Sequence, residues 1–218
     1  MDKENVLYKN QGAHVNIALF SVIDNKPKVL LINRTNQPFK NFSALPGGAV
    51  YNNETIERAV LRELKEKTGI CEQIYLEQFK VYSQPDRAKE TGFRMFGFAF
   101  LGLVNPEKLT ILSSGEKYDN IYFCDIENLP QLAYDHKQII TDAVDFLSNM
   151  LFEKSIAKNI MPEYITIPQI QNVYEIITQK KYDRRNFSKR LINSKIIKKC
   201  EKTLKVDKKK PVQLYKFV

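Results

Sequence analysis

The segment from Gly48 to Ile70 constrains the fold of this 218-residue chain more than any other stretch of its sequence. Apolar residues recur in it at helical spacing, and Gly69 suits the left-handed position that ends a helix. Glu63, Glu66 and position 67 stand at i, i+3 and i+4, so their side chains share one face of the predicted helix. Carboxylates grouped in this way can hold Mg²⁺ or Mn²⁺, and such a metal can neutralise a diphosphate and activate water. The spacing therefore points to metal-dependent phosphate chemistry.

Position 67 departs from this arrangement because it is a lysine. An ammonium group cannot coordinate a cation, and two unit charges about 4 Å apart interact by roughly 4 kcal/mol at an effective dielectric near 20. We therefore expect metal-dependent chemistry at this site to be impaired or lost, whereas Lys67 could still donate to an anion. The alternative is that Lys67 only pairs with Glu63 at i,i+4, which stabilises a helix by about 0.2–0.5 kcal/mol.

The distribution of charge divides the chain into two parts. Residues 153–218 contain 17 Lys and Arg against 6 Asp and Glu, a net charge of +11, whereas residues 1–152 contain 17 against 19, a net charge of −2. A difference of this size predicts two domains with different tasks, one spanning residues 1–152 and the other residues 153–218. The basic domain is a candidate for binding the phosphate backbone of a nucleic acid.

The first domain alternates predicted strands with two helices. A turn is predicted at residues 25–27, and the second helix is expected to begin at an N-cap formed by Asp135 and to end near Leu151. Apolar and β-branched runs predict strands at His14 to Ile23, Lys28 to Asn33, Ile74 to Tyr82, Phe93 to Val104 and Asn120 to Asp125. This order predicts an α/β fold in which a mixed sheet packs between helices.

The second domain combines two predicted helices with two extended segments. Helical spacing predicts one helix from Ile167 to Thr178 and another, capped by Asp183, that runs to Asn193. The extended segments follow at Ile196 to Lys202 and Val212 to Val218. Two helices followed by a two-stranded wing are typical of a small α+β winged helix-turn-helix domain, whose second helix enters the major groove of DNA.

The second of these helices carries the candidate DNA contacts. Phe187 and Leu191 share its inward face, so its polar and basic side chains face outward. Arginine can bind guanine and asparagine can bind adenine, whereas serine and lysine suit phosphates. The candidate contacts are Arg184, Arg185, Asn186, Ser188, Lys189 and Arg190 on the helix, with Lys208, Lys209 and Lys210 at the tip of the wing. The alternatives are RNA binding and a solvated basic surface with no nucleic acid partner.

The segment from Gly48 to Ile70 resembles the Nudix box. The positions that fit the family's pattern are Gly48, Glu54, Arg62, Glu63, Leu64, Glu66, Gly69 and Ile70. Lys67 departs from it, since it stands where the second glutamate of a Glu-Glu pair belongs. The resemblance implies a Nudix-type α/β/α sandwich. It also implies that Glu63 and Glu66 are the residual catalytic and metal-binding carboxylates, and that Arg62 orients them.

The resemblance also implies individual ligand contacts. Arg34 matches a position at a strand end that faces the cleft. Arg87 closes the segment Gln-Pro-Asp-Arg at 84–87, which is similar to a segment near the ligand in ADP-ribose-type Nudix domains. Gly48 and Lys67 complete the expected ligand-binding set. Solvated arginines are the alternative for Arg34 and Arg87, and His14 is expected to be structural.

The two domains together resemble the Nudix-related transcriptional regulators, the NrtR-like proteins and their sugar-responsive relatives. The resemblance rests on the altered box, on YLEQF at 75–79, on QPDR at 84–87, on AYDHKQII at 133–140 and on the closing RRNFSKRL and LYKF segments. It implies a ligand-responsive regulator, here expected to be a repressor, that binds a double-stranded DNA operator as a homodimer. The implied effector is ADP-ribose, a related NAD metabolite or a pentose.

The alternative function is that of a Mg²⁺-dependent hydrolase that cleaves ADP-ribose or a related nucleoside diphosphate derivative. Glu63 and Glu66, with Glu54 or Glu116, would then have to hold the metal, and without such activity no cofactor is expected. No apolar run approaches the ~18 residues that cross a bilayer, and the polar first residues contain no signal-peptide core. With three cysteines in no paired pattern, these features predict a cytoplasmic protein without a membrane partner.

Overall fold

The computed structural model describes residues 11–70, 74–108, 121–151, 156–204 and 211–218. The strands in chain order are β1 (Gln11–Ile23), β2 (Lys26–Asn33), β3 (Ser43–Ala44), β4 (Gly47–Ala49), β5 (Tyr75–Tyr82), β6 (Arg94–Leu103), β7 (Ile121–Asp125), β8 (Ile197–Leu204) and β9 (Val212–Phe217). The first seven form one sheet with the order β3-β2-β1-β6-β5, in which β4 also pairs with β1 and β7 with β2. Since β1 lies parallel to β6 and antiparallel to β2, the sheet is mixed, as the sequence predicts.

Strand β1 is buried on both faces because a helical layer covers each of them. Ile17 and Leu19 pack on one face with residues of helix α1 (Ile56–Thr68). Phe20 packs on the other face, in a larger core that includes helix α2 (His136–Met150). Alternate side chains of an extended strand point to opposite faces, so one apolar strand serves both cores. The predicted α/β/α sandwich is confirmed.

The hairpin between β1 and β2 turns one residue earlier than the sequence predicted. Asp24 and Asn25 occupy the two loop positions with φ of 54° and 60°, and β2 already begins at Lys26. Asp and Asn tolerate the left-handed conformation that a two-residue hairpin loop needs at both positions. The predicted turn at residues 25–27 is therefore wrong, because Lys26 and the residue after it pair with β1.

The C-terminal part has the predicted order of two helices and a hairpin. Helix α3 (Ile167–Thr178) begins with a capping box in which Thr166 and Gln169 bond each other's backbone. Helix α4 (Arg184–Asn193) begins where the Asp183 side chain accepts a hydrogen bond from the backbone of its first turn, as expected. Strands β8 and β9 then pair antiparallel. The winged helix-turn-helix arrangement is confirmed.

The two parts of the chain share one hydrophobic core. Helix α3 packs against α2 and β2, and buried residues of both parts belong to the same apolar cluster. The backbone N–H of Val22 donates to the carbonyl of Ile160 at 3.1 Å, and the Tyr174 hydroxyl donates to the carbonyl of Leu151 at 2.8 Å. The predicted boundary between residues 152 and 153 falls outside the described residues and stays a prediction. None of the described helices has the length and apolar character needed to cross a membrane.

Candidate functional site

A cavity of about 240 Å³ lies between the C-terminal end of α1 and the start of α2. Its lining combines three cationic side chains, two imidazoles and the two glycines of β4, and none of the described residues that line it is Asp or Glu. The lining residues are His14, Asn16, Ile32, Arg34, Ala44, Leu45, Gly47, Gly48, Lys67, Arg87, Ala88, Thr91, Met95, Tyr134 and His136. The four residues predicted to bind a ligand, Arg34, Gly48, Lys67 and Arg87, thus surround one cavity.

Arg62 binds three carboxylates of the Nudix box next to this cavity. Its guanidinium donates to Glu54 Oε1 at 2.6 Å, to Glu63 Oε1 at 2.6 Å and to Glu66 Oε2 at 3.4 Å. It also lies over the ring of Tyr51, with 3.9 Å from Cζ to the centroid. Hydrogen bonding to Glu54 raises the pKa of Arg62 further above its ordinary value. The geometry matches the orienting role that the sequence resemblance implies for this arginine.

Gly48 and Glu63 are in direct contact, which explains the glycine. A Cβ atom on residue 48 would lie 2.2 Å from Glu63 Oε1, so any side chain there would displace this carboxylate. The other oxygen of Glu63, Oε2, is buried and accepts no hydrogen bond. Lys67 Nζ lies 4.0 Å from it, so the i,i+4 ion pair considered from the sequence is present.

These residues do not fit a divalent metal site. An unsatisfied buried oxygen such as Glu63 Oε2 would suit a cation, but the ammonium of Lys67 already faces it. Glu66 is half-exposed and bonded to Arg62. Within the ranges that the structure describes, no three His, Cys, Asp or Glu residues are grouped so as to hold a metal. Glu116 lies outside those ranges.

Arg87 is buried, so the alternative of a solvated loop side chain is wrong. It is 8% exposed, and its Nε and Nη2 donate to the two carboxylate oxygens of Asp135 at 2.6 and 3.2 Å. A Cβ on Gly97 would lie 2.5 Å from Arg87 Cζ, so the guanidinium rests directly on the backbone of β6. Asp135 precedes α2, but its side chain makes no capping bond. The helix therefore begins directly after Asp135, as predicted, but the Asp135 side chain pairs with Arg87 and does not cap it.

Arg34 also lines the cavity. Its Nε donates to the carbonyl of Pro38 at 3.1 Å, and its Cζ lies 5.1 Å from the ring centroid of Tyr134. In the described part of the chain it forms no ion pair with a carboxylate. Arg34 and Lys67 also line an adjoining cavity of about 250 Å³. Both cations therefore face the space in which a ligand would lie.

His136 is neutral and acts as a hydrogen-bond acceptor. Its Nδ1 accepts from the backbone N–H of Leu45 at 2.9 Å, which fixes the loop before β4. Burial, followed by the positive charges of Arg87 and Arg34, lowers the pKa of His136 to about 3. Burial and Arg87 also lower the pKa of His14. Protonation of His136 would break its bond to Leu45.

We expect the folded chain to lose stability as the pH falls from 6.5 towards 3. The unfolded chain takes up the His136 proton near its ordinary pKa of 6.5, while the folded chain resists it down to about 3. The free energy of unfolding should fall by about 1.4 kcal/mol per pH unit in this window, or about 2 kcal/mol between pH 7 and pH 5. Urea unfolding at pH 7 and pH 5 measures this change in the free energy of unfolding. In His136→Asn, whose amide oxygen can accept the same bond, the loss should shrink by that amount, and an unchanged loss would contradict the assignment.

The sequence did not single out several residues of the cavity. Asn16 is 5% exposed, and its Nδ2 donates no hydrogen bond although it is buried. Tyr134 and Met95 also line the cavity, and His14, expected to be structural, lies there too. An isolated asparagine within the apolar run of β1 was a readable signal for Asn16. Tyr134 lies in the AYDH segment that carries part of the family resemblance, whereas Met95 offered no signal because Met residues usually belong to the core.

Helix α4 forms the second candidate site. Phe187 and Leu191 are buried as predicted. The basic and polar candidate residues Arg184, Arg185, Asn186, Lys189 and Arg190 are exposed. Ser188 is only half-buried, and its hydroxyl donates to the carbonyl of Arg184, so it is engaged within the helix. Lys208, Lys209 and Lys210 fall outside the described residues, and their predicted contacts stay predictions.

Comparison with known proteins identifies both parts of the chain. The model of the NUDIX domain matches residues 12–143, and the model of the NrtR DNA-binding winged helix domain matches residues 157–217. The chain is 40% identical to an ADP-ribose pyrophosphatase of Methanocaldococcus jannaschii over 129 residues, 59% of this chain and 73% of that protein. It is 29% identical to the "ADPR responsive transcriptional repressor NtrR" of Acinetobacter baylyi over 205 residues, 93% of this chain and 80% of that protein.

Solved structures of Shewanella oneidensis NrtR resemble the chain over both parts. The structure of that protein with a 27mer DNA superimposes with a TM-score of 0.76 at 24% identity, covering 94% of this chain and 93% of the other, which shows a shared fold. The structure of its NUDIX domain with ADP ribose gives a TM-score of 0.56 at 28% identity, covering 67% and 94%. The chain therefore belongs to the Nudix family and carries an NrtR DNA-binding winged helix domain behind its Nudix domain.

Proposed function

We propose that this protein is an ADP-ribose-responsive transcriptional repressor. Its Nudix cleft binds ADP-ribose, and its winged helix domain binds a double-stranded DNA operator. The observation that carries the proposal is the exposed basic helix α4 within an NrtR-type winged helix. The similar Acinetobacter protein is a repressor that responds to ADP-ribose, and the similar Shewanella protein binds DNA and ADP ribose in its structures.

The cleft has the charge and shape for a nucleoside diphosphate sugar. Arg34 and Lys67 place positive charge on the lining of the cavity, which suits a diphosphate, while the charge of Arg87 is offset by Asp135. An adjoining open cavity of about 540 Å³ shares Arg87 and Tyr134 and is also lined by Phe39 and Tyr82. Aromatic rings at that position suit a base. The two cavities together favour ADP-ribose over a pentose, which carries neither a diphosphate nor a base.

The cleft and the DNA-binding helices are linked through α2. His136 at the start of α2 lines the cavity, while α3 packs against the same helix. The chain would have two arrangements of its winged helix domain. ADP-ribose would favour the arrangement whose cleft binds it more tightly. In a homodimer the spacing of the two α4 helices would then change. The operator would accordingly be two-fold symmetric, with half-sites one helical turn or a multiple apart, and the protein would work in the cytoplasm beside the DNA.

A titration of the full chain into a fluorescent duplex from the region upstream of its own gene tests this function. We expect it to bind that duplex more tightly than a scrambled one of equal length at physiological salt, because α4 reads bases as well as phosphates. Saturating ADP-ribose should weaken operator binding by about tenfold, within the usual range of allosteric coupling. Anisotropy gives both values, and ribose serves as the ligand control. Equal affinity for the two duplexes would refute the proposal.

A second candidate function is hydrolysis of ADP-ribose, which the similarity to the archaeal pyrophosphatase favours. Nudix hydrolases generally use a divalent metal such as Mg²⁺, and Lys67 opposes such a metal here. We expect negligible release of AMP from ADP-ribose by the wild-type chain with Mg²⁺, measured by chromatography. Ordinary turnover that Glu66→Gln abolishes would establish the hydrolase instead. Turnover that appears only in Lys67→Glu would support the sensor.

A further inference from the structure

We propose that Lys67 takes the electrostatic place of a divalent metal in this cleft, so that the diphosphate of the ligand binds without Mg²⁺. The inference rests on the proposed function, since it concerns the ligand of the same cavity. Metal-independent binding of the ligand is a separate property from loss of catalysis, because a cleft can lose catalysis and still need a metal to bind its ligand.

The charge of the Nudix box supports the proposal. Glu54, Glu63 and Glu66 all accept hydrogen bonds from Arg62, so one guanidinium offsets part of three negative charges. A glutamate at position 67 would add a fourth carboxylate, whereas Lys67 adds a cation. This exchange shifts the local charge by two positive units, the charge of one Mg²⁺ ion. The lysine therefore supplies within the chain what a bound metal would otherwise supply.

The position of the Lys67 ammonium also supports it. Lys67 Nζ lies 4.0 Å from Glu63 Oε2, close enough to offset its charge but too far for a hydrogen bond. The side chain of Lys67 is 45% exposed and lines both the main cavity and the adjoining one. An ammonium has three donors. These donors can serve a phosphate bound in the cavities that Lys67 and Arg34 both line.

An unpartnered donor in the same cavity gives further support. Asn16 is 95% buried in β1 and lines the cavity, yet its Nδ2 has no acceptor. A buried amide donor without a partner is destabilising, and an anion in the cavity would relieve this. The Asn16 donor, the cations that line the same cavity and the absence of carboxylates among its described lining residues favour a bare anion over a metal-bound one.

Calorimetric titration of ADP-ribose into the full chain, once in EDTA and once in excess Mg²⁺, tests the proposal. We expect the two dissociation constants to agree within about twofold, since Lys67 has replaced the metal. Binding that requires Mg²⁺ would overturn the inference and leave the proposed function intact. Failure to bind under both conditions would overturn the proposed effector and, with it, the inference.

Charge variants on α1 separate Lys67 from a general effect of charge. Lys67→Glu should weaken ADP-ribose binding in EDTA by about tenfold or more, because a cation beside the diphosphate becomes an anion, and Mg²⁺ should restore part of it. Lys67→Met keeps the length of the side chain and should lose several-fold affinity that Mg²⁺ does not restore. Lys65→Glu is the matched control, since Lys65 is exposed on the same helix outside the cavity. It should bind as the wild type does.

Two results with these variants would overturn the inference. One is wild-type affinity of Lys67→Glu and Lys67→Met in EDTA. The other is an equal loss in Lys65→Glu, which would mean that the net charge of α1 acts and not the ammonium in the cavity. Thermal unfolding of each variant shows whether it is folded, and Lys67→Met remains informative if the added carboxylate beside Glu63 destabilises Lys67→Glu.

Discussion

Replacement of Arg185 and Lys189 by alanine together is expected to weaken operator binding by about 3 kcal/mol, on the order of 100-fold. Both side chains are exposed on α4, one turn apart, while Phe187 and Leu191 hold the opposite face of the helix in the core. An arginine that forks onto a guanine contributes to discrimination between sequences, and a lysine on a phosphate contributes the same affinity everywhere. The double variant should therefore lose both affinity and part of its preference for the operator.

Salt dependence separates these two contributions. For Lys189→Ala alone, the slope of log K against log salt should fall by about one unit, with similar losses on operator and scrambled duplexes. Arg185→Ala alone should lose more affinity on the operator than on the scrambled duplex. The matched control is the double variant Arg58→Ala and Lys65→Ala, which removes the same charges from exposed positions on α1. A similar loss in this control would mean that only overall charge matters and that α4 is not the recognition helix.

Much of the fold could be predicted because local patterns and tertiary packing agree. Helix α3 begins at Ile167 and ends at Thr178, as the spacing of its apolar residues predicts. Asp183 caps α4, and Gly69 ends α1 in the left-handed conformation. These signals act within four or five residues, so the sequence alone contains the information. The apolar and β-branched run that identifies β1 as a strand likewise reflects its two buried faces.

The errors arose where a distant residue decided the outcome. Asp135 has the sequence context of an N-cap, but Arg87, 48 positions earlier, binds both of its carboxylate oxygens. A charge-assisted bidentate pair is stronger than a capping hydrogen bond, so the pair determines the position of Asp135. The division by charge into two domains also gave no sign that they share a core, because the net charge of a surface says nothing about the apolar face beneath it.

The candidate site was predictable in composition but not in arrangement. The box spacing correctly brought Glu63, Glu66 and Arg62 together, since helix geometry fixes these distances. It could not place Asn16 in the same cavity as Lys67, because β1 and the end of α1 meet only in the folded chain. Nor could it show that Gly48 is needed to leave room for the Glu63 carboxylate. These facts depend on tertiary contacts between segments far apart in the sequence.

The shared core leads to the second large effect, the destabilisation of the whole chain by Phe187→Ala. Phe187 is 3% exposed, and its ring packs against Tyr174 and Tyr182 with centroids 5.5 and 5.3 Å apart. Truncation of a buried phenylalanine to alanine costs about 3–5 kcal/mol. Tyr174 also donates to the carbonyl of Leu151 directly after α2, so loosening of the winged helix removes support from the Nudix core. We expect one calorimetric transition, shifted down by roughly 10 °C.

Two substitutions on the same helix make this result interpretable. Phe187→Leu retains most of the apolar volume and should cost about 1–2 kcal/mol in the free energy of unfolding. Ile192→Ala alters a residue that is 50% exposed and should change this energy by less than about 0.5 kcal/mol. If Phe187→Ala instead gave two transitions, with only the smaller one shifted, the winged helix would unfold independently. The shared core from β1 to α4 could not then transmit the effect of the ligand from the cleft to the DNA-binding helix. A ligand-induced change in the dimer interface would have to transmit it instead.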